Sequence, residues 1–179
     1  MFIVRQQGRK MKYNYAKMKL KISQPVWQVV SLGILAGMRT ASAPAITSHI
    51  LSHHHQSEHF SNSSLGFMRS DNVATALKVF ALSELIADKL PSTPNRIKPF
   101  ALFARCLSGG LAGASVYKAS GNNAINGVLL GTAAAFVSTF GSYLLRKSIV
   151  RQTHIFDPMI GAIEDALVIG AGVYLTDNA

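Results

Sequence analysis

The chain has 179 residues and a formal net charge of +10, and 49% of its residues are hydrophobic while only 15% are charged. Soluble domains carry about 25% charged residues, so the composition argues against an ordinary soluble domain and favours extensive contact with lipid. Cys106 is the single cysteine, which excludes a disulfide framework or a cysteine metal cluster within one chain.

The amino-terminal segment 1–24 contains seven of the eighteen basic residues. Its basic region is long and no small-residue cleavage site follows it, so it is not typical of a secretory signal peptide. We interpret it as a basic cytoplasmic tail in front of one transmembrane helical domain, residues 25–177. A nucleic-acid-binding protein needs a contiguous basic face, whereas segment 119–145 has no charge at all. We therefore expect no nucleic-acid partner.

The first predicted membrane helix covers Val26 to Ile50, and Arg39 is the only formal charge in it. A proline inside a helix removes a backbone hydrogen bond, so we expect Pro44 to kink or break this span. Interrupted helices with polar side chains near the bilayer midplane form the binding sites of many transporters. The polar stretch around Arg39 is therefore the first candidate site.

A histidine-rich loop, residues 52–71, is predicted to follow on the outer side. His55, Glu58 and His59 match the H-x-x-E-H pattern of inverted zinc peptidases. The surrounding Ser, Asn and His residues are more typical of a solvated loop, and no further carboxylate ligand is evident. These three residues are weak candidates for metal binding, and we expect no catalytic metal.

Four more helices are predicted, and each approaches the roughly 20 residues needed to cross a bilayer. Two of them begin at or directly after a proline, Pro99 and Pro158, and Pro91 ends the first of the four. Together with the first span they predict an all-α, polytopic membrane bundle of about five helices. The four helices cover Asn72 to Leu90, Phe100 to Lys118, Ala124 to Leu145 and Pro158 to Thr176.

Four carboxylates lie within these predicted helices. Glu84 and Asp88 share a helix face at i, i+4 spacing, and Glu164 and Asp165 lie in the last helix. A charge in mid-bilayer costs at least about 2.5 kcal/mol and should have a partner, so we expect Arg39 to pair with Glu84 or Glu164.

Orientation follows from the loop lysines and arginines, which concentrate on the cytoplasmic side. With the amino terminus inside and five crossings, fourteen basic residues lie inside, against Arg69 and Lys118 outside. The carboxyl terminus would then lie outside. On the inner side, Lys89, Arg96 and Arg105 are candidate contacts for an anion or an anionic lipid headgroup.

Glycines at i, i+4 spacing occur three times, and such pairs let membrane helices pack closely. They predict glycine-rich packing faces, within the bundle or towards a second copy or another membrane partner. The pairs are Gly33/Gly37, Gly109/Gly113 and Gly127/Gly131.

The segments GILAGMRTASAPA, SELIADKLPSTPNR, ARCLSGGLAGA and AIEDALVIG resemble the bacterial membrane family known as domain of unknown function 4126, over about Gln28 to Gly172. The resemblance implies a membrane bundle in the bacterial inner membrane and implies no activity. The basic tail and the histidine-rich loop depart from the family pattern. The matching residues are Arg39, Glu84, Asp88, Lys89, Pro91, Pro94, Arg96, Arg105, Glu164 and Asp165.

Two functions remain open at this point. The charged residues can line a site for a small solute, an ion or an anionic headgroup, as in a transporter or channel, or they can only fix helix register in a structural subunit. We expect neither an enzyme nor a cofactor, because no Walker, Rossmann or G-x-S-x-G motif is present. The site prediction comprises Arg39, Glu84, Asp88, Glu164 and Asp165.

Overall fold

A computed structural model of the chain describes residues 25–53, 60, 63–87, 98–153 and 157–178. Within these ranges every regular element is helical. Six α-helices are joined by short turns and by segments that lie outside the described ranges, and a 3₁₀ turn, Gly66–Arg69, precedes the third. The helices are α1 Pro25–Met38, α2 Ser42–His53, α3 Asp71–Ala87, α4 Pro99–Ala119, α5 Ala124–Thr153 and α6 Asp157–Asp177.

The first predicted span is two helices, and the break lies at residues 39–41 rather than at Pro44. Pro44 is the third residue of α2, where a helix has no internal partner for the backbone N–H, so its missing hydrogen costs nothing there. The prediction that Pro44 breaks the helix was wrong. The polar sequence around Arg39 forms the turn itself.

The chain reverses direction at this turn. Gly37 and Val29 of α1 meet Arg105 and Gly113 of α4, so these two helices are antiparallel. The Thr40 carbonyl, just before α2, accepts from Ser108 of α4, and Leu51 near the end of α2 lies in a cluster against which Ala119 at the end of α4 packs, so α2 runs parallel to α4. Helices α1 and α2 therefore form an antiparallel hairpin with residues 39–41 at its tip.

The same reasoning orders the remaining helices. The Thr40–Ala41 amides meet Glu84, and His49 meets Lys78, so α3 runs antiparallel to α2. Gly109 meets Gly131, and Gly113 meets Gly127, so α5 runs antiparallel to α4. Helix α6 is parallel to α2, because Arg39 meets Asp165 and Ile46 meets Gly172. The six helices described, α1 to α6, thus alternate in direction along the chain.

The hairpin tip lies level with the middle of the long helices α4 and α5. It meets α4 at Arg105 and Ser108, about 9 to 14 Å along a helix that is about 31 Å long at 1.5 Å per residue. It meets α5 at Thr139, again near the middle of that helix. The tip is therefore buried between longer helices instead of emerging at an end of the bundle.

This topology alters the predicted arrangement of the ends. Six alternating segments bring the start of α1 and the end of α6 to the same end of the bundle. The segments that join α3 to α4 and α5 to α6 attach at the opposite end. Lys118 then lies at the same end as the start of α1, so the count of fourteen against two for a five-span topology does not apply, and the orientation with the amino terminus inside stays a prediction.

Glycines permit the closest helix contacts. A Cβ added to Gly109 would lie 2.6 Å from the Gly131 carbonyl oxygen, and one added to Gly33 would lie 2.6 Å from the Ala134 Cβ. Since real Cβ atoms essentially never approach so closely, α5 can pack against α4 and α1 only with hydrogen at these positions. Gly141 and Gly170 differ, because nothing lies within 4 Å of an added Cβ.

Two apolar clusters occupy the interior. The first joins α1, α2, α4 and α5 through Val29, Ala43, Ala112 and Ala135. The second lies at the far end of α2 and joins Leu51, Phe60 and Met68. Ser48 of α2 donates a hydrogen bond to the Met68 carbonyl oxygen at 2.7 Å, which ties the 3₁₀ turn to the hairpin.

Candidate functional site

The candidate site is the buried tip of the α1–α2 hairpin, residues 39–41. Its backbone N–H groups point to α3, where the Glu84 carboxylate accepts hydrogen bonds from the Thr40 N–H at 2.9 Å and the Ala41 N–H at 2.8 Å. The first amides of a helix have no partners within it and carry partial positive charge. The two oxygens of this one carboxylate therefore cap the start of α2 in a bidentate manner.

The carbonyl oxygens at the tip are satisfied by α4 and α5. The Gly37 carbonyl accepts from Arg105 Nη1 at 3.1 Å and from Thr139 Oγ1 at 3.2 Å, and the Thr40 carbonyl accepts from the Ser108 hydroxyl. Irregular backbone at membrane depth is stable only when other protein groups bond it. These side chains supply the bonds that the break in the helix requires.

Arg39 is buried, with 4% of its surface exposed, and its Nη2 forms an ion pair with Asp165 Oδ1 of α6. The expectation that Glu84 or Glu164 pairs with Arg39 was wrong among the described residues. Glu84 instead accepts from the Thr40 and Ala41 backbone amides, and Glu164 lies beside Arg146 of α5. The ion pair links the hairpin to the last helix, 126 residues further along the chain.

Glu164 faces Arg146 of α5, whose Nη1 lies 3.8 Å from Glu164 Oε2. Although Glu164 and Asp165 are adjacent, they contact different helices because successive helical residues are about 100° apart. Asp165 thereby joins α6 to α1–α2, and Glu164 joins α6 to α5.

Arg105 was predicted to contact an anion or headgroup at the inner loop, and that placement was wrong. Only 7% of the residue is exposed, and its guanidinium donates to the Gly37 carbonyl inside the bundle. Because Arg105 lies almost two turns after Pro99, its side chain can reach the hairpin tip. It belongs to the candidate site.

The described charges around the tip balance. Three guanidinium groups and three carboxylates lie at or next to this level of the bundle, and each has a contact within it. Charges removed from water are tolerated when they are paired and hydrogen-bonded. The six residues are Arg39, Arg105, Arg146, Glu84, Glu164 and Asp165.

Several predicted residues lie outside the described part of the chain. These include the remaining carboxylate of the predicted pathway, two of the basic contacts and the histidine motif. Among the described residues, no group of three or more His, Cys, Asp or Glu side chains is placed to hold a metal ion. The residues outside the described ranges are Asp88, Lys89, Arg96, His55, Glu58 and His59.

Three hydroxyl residues that bond the hairpin were not identified from the sequence. Ser108 and Thr139 bond the tip, and the Ser138 hydroxyl donates to the Ile34 carbonyl at 2.8 Å. Ser108 directly precedes a glycine pair and Ser138 and Thr139 follow the small residues of α5. That neighbourhood marks close backbone approach, which is where a short hydroxyl can reach a carbonyl on another helix.

Three helices are long and apolar enough to cross a membrane by length and composition: Pro99–Ala119, Ala124–Ile149 and Met159–Asp177, within the residues described. The fold and the tip thus define an all-α protein in which a charged hairpin ends among helices of membrane-spanning length. The chain belongs to the family described as Domain of unknown function (DUF4126), whose model matches residues 26–177. This match confirms the resemblance inferred from the sequence. Comparison with curated proteins and with solved structures gives no match.

Proposed function

We propose that the protein is a multi-pass protein of the bacterial inner membrane that binds a small anion at the hairpin tip and passes it together with protons. The membrane setting is supported by the large apolar side chains that remain exposed on four helices, since soluble monomers rarely expose wide apolar surfaces. In lipid these side chains face acyl chains. Examples are Phe80 at 60%, Phe103 at 61%, Val137 at 69% and Ile163 at 59% exposed.

In this setting the α1–α2 unit is a re-entrant hairpin. Helix α1 has 14 residues and is about 21 Å long, too short for a hydrocarbon core of about 30 Å. Its tip would lie within the bilayer, enclosed by α3 to α6. In transporters, helices that end within the membrane direct the partial positive charge of their amino-terminal ends at anionic groups of the substrate.

The single observation that carries the proposal is the Glu84 carboxylate on the Thr40 and Ala41 amides. Two convergent N–H groups at the start of a helix form an anion-binding site. Here the Glu84 side chain of another helix occupies this site, which we call the anion seat. If Glu84 becomes protonated, it loses most of its attraction to these amides. A mobile anion can then take the same seat.

Charge balance around the tip couples the movement of the proton to that of the anion. The described charges around the tip sum to zero, and one added proton raises the charge next to Arg39 and Arg105 by one unit. A buried net charge is costly, and one monovalent anion removes it. Proton and anion would therefore enter and leave in a ratio of one to one.

The second candidate is a structural subunit in which the same charges only fix helix register. It is favoured by the contacts themselves, since each described charge at the tip already has a partner in the chain.

Homo-oligomerisation, a membrane partner at the glycine faces and anionic headgroups at Lys89 and Arg96 remain predictions. The glycine pairs Gly33/Gly37, Gly109/Gly113 and Gly127/Gly131 contact other helices of the same chain.

The test is reconstitution in liposomes that contain a pH-sensitive dye, with an inward chloride gradient and nitrate as a second probe anion. Wild-type protein should acidify the interior as chloride enters with protons. Glu84→Gln should remove the coupling between proton and chloride, and Arg39→Gln should stop both fluxes. Asp71→Asn is the control, because it removes a carboxylate from the same helix at an exposed position away from the tip.

Flux that is equal in wild type and Glu84→Gln would contradict the proposed role of the carboxylate. Folded wild-type protein that carries neither chloride, nitrate nor protons would favour the structural subunit. In that case Arg39→Gln should lower the thermal stability in detergent with no transport to lose.

A further inference from the structure

A second cluster of polar side chains lies at the far end of α2, away from the hairpin tip. His49 and His53 are four residues apart in the last turns of this helix, and their ring centroids are 4.3 Å apart. Residues at i, i+4 project from the same helix face. Two imidazoles in this arrangement can reach a single metal ion.

The hydrogen bonds of His53 fix its tautomer. Its Nδ1 lies 3.0 Å from the His49 carbonyl oxygen, which can only accept, and 3.1 Å from the Ser52 hydroxyl, which donates to that same carbonyl, so Nδ1 is the nitrogen that carries the proton. The Nε2 lone pair then points away from the helix backbone. A histidine that donates one ring N–H to a carbonyl and offers the other nitrogen is the usual arrangement of metal-binding histidines.

His49 offers the lone pair of its Nδ1 atom. Its Nδ1 lies 2.9 Å from Lys78 Nζ of α3, and an ammonium group can only donate, so this nitrogen is the acceptor. Lys78 thus covers the position at which a metal ion would bind. The lysine side chain is exposed and long enough to swing into solvent.

We propose that His49 and His53 form a binding site for a divalent cation of the zinc, nickel and copper class, with Lys78 as the group that the metal displaces. Neutral imidazole is a preferred ligand of these metals. Two protein ligands leave the remaining coordination positions to water, so the site is open and exchanges its metal. It lies at the end of the bundle where the 3₁₀ turn packs, and is independent of the anion seat.

The experiment is calorimetric titration of Zn²⁺ into the tag-free full chain in detergent near neutral pH. His54, His55 and His59 are replaced by glutamine throughout, so that binding reports on the described pair. One Zn²⁺ should bind, and His49→Ala or His53→Ala should each weaken binding by about tenfold or more. Lys78→Met should strengthen it, because it removes both a competing proton donor and a positive charge.

His53 is exposed, so His53→Ala tests the site even if His49→Ala fails to fold. Absence of Zn²⁺ binding in the glutamine background would overturn the proposal. So would equal affinity in the parent and in His53→Ala. Zn²⁺ binding that Lys78→Met weakens would also overturn it, since the lysine would then support the site instead of blocking it.

Discussion

Replacing Glu84 by glutamine should open the hairpin tip locally. The carboxylate accepts from the Thr40 and Ala41 amides at 2.9 and 2.8 Å, whereas glutamine offers one acceptor and one donor group. One buried N–H therefore loses its charge-assisted bond, which is worth about 1.5 to 3 kcal/mol. Since 1.4 kcal/mol corresponds to a factor of ten, amide exchange at residues 40–41 should accelerate by roughly 10- to 150-fold.

Hydrogen exchange read by mass spectrometry, on peptides that cover residues 39–42, measures this change directly. Asp71→Asn is the matched control, because it makes the same chemical change at the exposed start of α3. It should cost at most about 1 kcal/mol through the helix dipole and leave exchange at residues 40–41 unchanged. Equal acceleration in both variants, or none in Glu84→Gln, would refute the capping role of Glu84.

Two further predictions concern packing and charge. Gly109→Ala should destabilise the bundle by about 1 to 3 kcal/mol through overpacking against α5, whereas Gly141→Ala should be neutral or stabilising; thermal unfolding in detergent compares them, and equal melting temperatures would contradict the described contact. Arg39→Met should destabilise by about 3 to 5 kcal/mol because it leaves the Asp165 carboxylate buried without its cation, and adding Asp165→Leu should recover much of that loss. If the double variant is as unstable as the sum of the single changes, the two residues are not coupled.

Helical structure could be predicted because its signals are local. Proline positions and apolar runs placed both α4 and α6 to within one residue at each end. Helix α5 continues beyond Leu145 to Thr153, because Arg146 and its polar successors favour helix as much as they favour a loop. The polar end of an apolar run therefore marks the edge of the hydrocarbon better than the end of a helix.

The reversal at residues 39–41 could not be predicted, because its cause is not local. The sequence from Val26 to Ile50 is apolar enough to read as one span. What stabilises the break is a carboxylate on α3, a guanidinium on α4 and hydroxyls on α4 and α5. A hydropathy pattern contains no information on these partners.

Four charged residues of the candidate site could be predicted, but their pairing and the hydroxyl residues around them could not. Buried charge is rare enough that Arg39, Glu84, Glu164 and Asp165 stand out from the sequence. Their partners depend on which helix each faces, and the five-span topology put Arg105 at an inner loop instead of at the tip. One error in topology thus changed several assignments.

The central claim is that the chain turns back at residues 39–41, and cysteine accessibility tests it most directly. Single cysteines at Val26, Asn122 and Lys147, in a Cys106→Ser background, are exposed to a membrane-impermeant maleimide in vesicles of known orientation. We predict that the cysteines at Val26 and Asn122 react from one side of the membrane and the cysteine at Lys147 from the other. Reaction at Val26 and Lys147 from the same side, with Asn122 on the opposite side, would show a single first span and contradict the hairpin.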